Sequence, residues 1–211
     1  QTGAYVFRLY RAAYGNNQPS PNPDNSNQTE ARKVPSYAAF VPDRAAVVGG
    51  TDLAASQLAL ANAFVQRPEF LSKYPATLAG PAFVDAVLAT IQTDSGANLT
   101  AQRSALIGLF TSGGRGAVMY RLADDNATNP INNRPFIDAE YNRAFVATQY
   151  FGYLRRDADI GGLLFWLGKV NSFPIRNTVI QNAMVCSFVT SAEYQQRFSP
   201  VVTHNNAECP Q

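Results

Sequence analysis

The densest grouping of residues able to do chemistry is Arg155-Arg156-Asp157-Ala158-Asp159-Ile160-Gly161-Gly162. An Asp-x-Asp followed by glycine is how an EF-hand calcium loop begins, with alternating oxygens wrapping the ion. That loop would need a bidentate Glu where this chain has Gly168, and two adjacent arginines repel a cation. The segment therefore reads as a capped turn. Asp159 accepts the free N–H groups of the next helix, Arg155 or Arg156 pairs with Asp157 or Asp159, and Gly161 and Gly162 let helix backbones approach closely. No metal ligands and no cofactor are assigned. A Ser-His-Asp or Cys-His arrangement needs a histidine base, and the one histidine, His204, stands in a polar tail. One His and two Cys are too few for a zinc site. Ser112-Gly113-Gly114-Arg115-Gly116 lacks the Lys-Ser/Thr ending of a phosphate loop and reads as a tight connection between helices. Two carboxylates could in principle converge for glycoside hydrolysis, but nothing singles out a pair, and no catalytic residue is named.

Three further features carry expectations. Cys186, in an apolar stretch, and Cys209, in the polar tail, fit one disulfide in an oxidising compartment or two independent thiols. Trp166 with Tyr150, Phe151, Tyr153 and Phe165 is the densest aromatic patch; at helical spacing it reads first as core and second as a platform for sugar rings. Asn27, Asn98 and Asn126 head glycosylation sequons that an Asn-rich chain also produces by chance.

The elements that must position these residues are helical. Val6, Phe7, Leu9, Tyr10, Ala13 and Tyr14 recur at steps of three and four, as do Phe83, Val84, Val87, Leu88 and Ile91. Similar faces run through 53–64, 106–110, 117–122, 141–154, 163–170 and 179–188, which gives roughly ten short helices and no convincing strand. Pro19, Pro21 and Pro23 make 15–35 a long irregular surface loop, and it and the tail after Pro200 are the expected contact arms. The spacing Phe64-Val65, Glu69-Phe70, Tyr74 returns at Phe188-Val189, Glu193-Tyr194, Phe198, and in part at Glu140-Tyr141, Phe145. Pro68, Asp138 or Ser191 precedes the acid, so Glu69, Glu140 and Glu193 are each expected in the first turn of a helix, where its dipole favours a carboxylate. The repeat divides the chain into a diverged unit at 1–78, a second at 79–135, the clearest unit at 136–199, and a tail at 200–211. The fold class is all-α, repeated helical units packed into one compact domain.

Composition narrows the function classes. Of 211 residues, 46% are hydrophobic and only 15% charged, with a net charge of +2 and no Lys/Arg cluster, which argues against nucleic acid as a partner. No apolar run is long enough for a membrane span. The chain starts at Gln1 without a leader, which suggests a processed start or a fragment of a longer protein.

The segment from Tyr150-Phe151-Gly152-Tyr153-Leu154-Arg155-Arg156 through Asp159, Gly162 and Trp166 to Ser191-Ala192-Glu193-Tyr194 resembles the bacterial family called domain of unknown function 4214. The match is good from Tyr141 to Phe198; upstream stretches look like diverged copies. It is also distantly similar in pattern to phycobilisome linker domains. The resemblance implies an all-helical repeat module, mostly of exported or cell-surface bacterial proteins, with no established activity. The expected function is a non-catalytic structural or assembly module of a secreted, periplasmic or cell-surface protein, not an enzyme. Its partners would be copies of itself or other envelope proteins. The alternative is a carbohydrate-binding or adhesion module acting on a surface glycan, and an unrecognised hydrolase stands third.

Overall fold

Helix α1 (Thr2–Tyr14) is buried without a break from Tyr5 to Tyr14, although it carries Arg8 and Arg11. A helix apolar all round has no solvent face, so it can only be the centre of the molecule. In this computed structural model, which describes residues 2–23 and 28–198 with Asn205, Ala207 and Cys209, α1 packs against four other helices. These are α3 (Tyr37–Val48), α6 (Gly80–Ser95), α7 (Arg103–Ala123) and α8 (Arg134–Gln149). Its tyrosine hydroxyls fix the neighbours in place. Tyr5 donates to the Gln57 carbonyl of α4 (Leu53–Phe64) at 2.9 Å, and Tyr10 donates to the Asp43 carboxylate of α3 at 2.8 Å. The Ala13 carbonyl accepts from Tyr74, just past α5 (Pro68–Lys73), at 2.8 Å.

Around this axis α4 lies on α3 and α7, and α6 lies on α7. Beyond α8, a π-helical turn (Tyr150–Leu154) leads to α9 (Ile160–Asn171), α10 (Thr178–Val189) and α11 (Ala192–Phe198). Among the described residues there is no strand; a single bridge joins Pro21 and Pro35. One hydrophobic core runs from Tyr5 to Phe188 and crosses residues 78/79 and 135/136 without a gap.

Local chemistry sets the helix starts. Ser36, Asp52, Asp159 and Asn177 each accept a backbone N–H in the first turn of α3, α4, α9 and α10, and proline opens α5, α6 and α8. The apolar stretches at 106–110 and 117–122 lie on two helical stretches of α7 that meet in a kink at Gly114, whose φ of 68° suits glycine, so Ser112–Gly116 is the tight connection expected from the sequence. Two differences from the sequence reading have physical causes. Helix α3 forms despite Pro42, which hid it from the periodicity. The 15–35 segment is no free arm where it is described. Gln18 and Asn22 are buried, short α2 (Gln28–Ala31) follows, and Asn22 Nδ2 donates to the Ala158 carbonyl at 2.6 Å. Asn27, His204 and the rest of the tail apart from Asn205, Ala207 and Cys209 lie outside the described residues.

Candidate functional site

The Arg155–Gly162 turn sits where α8 gives way to α9. After the π-helical turn, Arg155 takes a left-handed conformation (φ 49°) and places its guanidinium 4.9 Å over the Phe198 ring. Arg156 forms the ion pairs. It grips Glu193 with two parallel bonds of 2.7 and 2.8 Å, donates to the Asp157 carbonyl at 2.7 Å, and approaches Asp159 at 3.4 Å. The Arg156 hydrogen bonds hold the Glu193 carboxyl below the usual glutamate range. Asp157 turns the other way and accepts the Tyr37 N–H at 2.7 Å, at the start of α3. Burial raises its carboxyl above the ordinary value despite that bond. Asp159 caps α9 by accepting the Gly162 N–H at 2.7 Å. The two aspartates thus serve two different helix starts, and among the described residues no three His, Cys, Asp or Glu converge on a common point.

Gly162 is required by a side chain rather than by a second helix backbone, since a Cβ there would collide with the Tyr150 hydroxyl. Trp166 is half-buried, edge-on to Phe165 at 5.2 Å and to Phe188 at 6.1 Å. Tyr150 and Phe151 are core, and Phe165 is exposed, so these residues do not form one open aromatic platform. The structure bridges Cys186 of α10 to Cys209, with Cα atoms 5.7 Å apart.

Glu69 and Glu193 stand in the first turns of α5 and α11. The aromatic pairs that follow them pack in tilted contact, Phe70 with Tyr74 at 4.9 Å and Tyr194 with Phe198 at 4.7 Å. Glu140 corrects the expectation. It lies in the middle of α8, because Pro135 starts that helix a turn and a half earlier. There it forms a fully buried, two-bond pair with Arg11, both bonds 2.9 Å, at 1% and 0% side-chain exposure. Arg11 also donates to the carbonyls of Gly15, Lys33 and Asp94. Sequence reasoning missed Arg11. The available signal was an arginine inside an otherwise apolar helix, a charge that must find a buried partner.

A cleft of about 1150 Å³ opens between the first turns of α1, α3, the start of α4, the 124–127 connection and α8. It was not foreseen, because its walls come from five separate parts of the chain. Arg8 and Gln57, both buried, line it. A second surface feature is apolar. Among the described residues, five of the eight large apolar side chains left exposed are Leu164, Phe165, Phe173, Ile175 and Val179, all between α9 and the start of α10.

Residues 127–198, about a third of the chain, match the family described as Domain of unknown function (DUF4214). The matched stretch takes in α8 to α11 and the whole Arg155–Gly162 turn. No curated protein and no solved structure matches the chain. The likeness to phycobilisome linkers rests on the sequence pattern alone.

Proposed function

We propose that this chain, which carries a DUF4214 domain at residues 127–198, is a non-catalytic assembly module of a secreted or cell-envelope bacterial protein and works by packing against a second copy of itself. The observation that carries the reading is the concentration of exposed apolar side chains at 164–179, within the family-matched segment. Large apolar groups left exposed within one short segment point to a contact face. Phe165 and Val179 are 55% and 70% exposed, so both have surface to bury on a partner. The turn supports the same reading: its arginine and carboxylates hold helix ends together, which is structural work. The Cys186–Cys209 bridge favours an oxidising compartment.

The test is sedimentation at low and high protein concentration, for the wild type and for a Phe165→Glu, Val179→Glu double variant. Both positions are at the surface, so the variant keeps its fold. The wild type is expected to associate as concentration rises. Losing two such side chains should weaken association by at least about a hundredfold, since burying each contributes roughly 1.5–3 kcal/mol. A wild type that stays monomeric throughout overturns the assembly reading.

A further inference from the structure

We propose that the cleft between α1, α3, α4 and α8 is a binding site for an acidic oligosaccharide, a chain of sugar carboxylates such as uronic acids, with one carboxylate received by Arg8 and Gln57. This rests on different residues from the assembly face.

Arg8 is 3% exposed and lines the cleft. Its Nε donates to the Ala123 carbonyl at 2.9 Å, closing the end of α7, and its two Nη groups bond to no described residue. No described carboxylate lies within ion-pair distance of it; burial draws its pKa down to about 10, partly offset by the charges of Asp125 and Asp124. Gln57 is 8% exposed, lines the same cleft, and its carboxamide makes no hydrogen bond to a described residue; only its backbone carbonyl is engaged, by Tyr5. Neither the Arg8 Nη groups nor the Gln57 carboxamide is sealed from the cleft, so these donors are open to a ligand there. Both line the same cleft, and a guanidinium and an amide can each donate to a carboxylate.

Charge around the cleft agrees. Arg44 and Arg155 stand exposed at its rim, and neither pairs with a described carboxylate. The two acids lining it, Asp124 and Asp125, are already paired with Arg121 at 3.0 Å and Arg134 at 3.2 Å. Arg8, Arg44 and Arg155 outnumber these two acids, so the cleft carries net positive charge. A sugar is favoured over a peptide because every regular element in the walls is a helix, whose backbone groups are already bonded and could not pair an extended peptide. Half-buried Tyr37 and Phe145 supply apolar surface for sugar rings, and Asn126 and Gln149 supply partners for hydroxyls.

Calorimetric titration of the full chain with tetragalacturonate tests this, beside its methyl ester, which has the same sugars without the charge, and tetraglutamate. Binding is expected for tetragalacturonate and should be about tenfold or more weaker for the ester. Gln57→Met keeps the volume and removes the amide; Arg44→Glu reverses a rim charge at an exposed position. Each should weaken binding about tenfold while the melting temperature stays near that of the wild type. If Gln57→Met does not fold, Arg44→Glu decides alone. No binding at millimolar tetragalacturonate, equal binding of the ester, or equal binding by the Arg44→Glu variant overturns the proposal. Tetraglutamate binding as tightly as the sugar also overturns it, in favour of an acidic peptide.

Discussion

Removing the Glu140 carboxylate would leave the Arg11 guanidinium buried without its ion-pair partner, with Arg143 also near the vacated position. Breaking a buried pair from one side is the costly case, so Glu140→Ala is expected to destabilise by about 3–5 kcal/mol in urea unfolding. Asp125→Ala removes one of the two acids paired with Arg134, from a pair that is 40–50% exposed, and should change stability by no more than about 0.5 kcal/mol. Equal effects of the two substitutions would show that burial does not set the worth of these pairs. Arg11 and Glu140 stand 129 residues apart, and each was visible only as an isolated charged residue. The Glu140-Tyr141-x-x-x-Phe145 spacing matches a helix start elsewhere in the chain, yet Pro135 had already opened the helix.

Among elements, α11 is held to the turn by Arg156 and Glu193 and by Arg155 over Phe198. Because the Arg156 bonds lower the Glu193 pKa in the folded chain, the stabilisation is present above the ordinary glutamate value of 4.5 and is lost as pH falls through the lower folded value. Both side chains are about a third exposed, so the effect is limited by solvent to at most about 1 kcal/mol. Glu193→Gln should therefore melt below the wild type at neutral pH and converge with it as acid protonates Glu193 in the folded chain. A gap that persists unchanged in acid would mean that the pair's charge contributes nothing. Asp157 has the opposite sign: burial raises its pKa, so its ionisation opposes folding as pH rises, a slope that both proteins share.

For the whole molecule, the family-matched segment is not a self-contained body. Helix α8 buries Phe136, Ile137, Glu140 and Ala144, packs on α1 and α6, and lends Glu140 to Arg11. Residues 127–198 expressed alone would expose that face and leave Glu140 unpaired. Circular dichroism on heating should show one cooperative transition for the full chain and none for the segment. A sharp transition of the isolated segment near the temperature of the full chain would establish it as an autonomous repeat.

By itself the sequence determined the helical class, most helix positions, the Asp159 cap and the helix starts at Glu69 and Glu193. All of these depend on neighbours within a few residues, where periodicity and capping act. The Asp159 and Ser191 caps each span three residues and could be read directly. Only the tertiary structure decided which arginine takes Glu193, 37 residues from Arg156, and which helix receives Asp157, 120 residues from Tyr37. It alone placed Arg8 and Gln57 in one cleft. Pairings at such separations depend on how the helices cross around α1. Those crossings follow from the shapes of whole packed faces, which no local window of sequence contains.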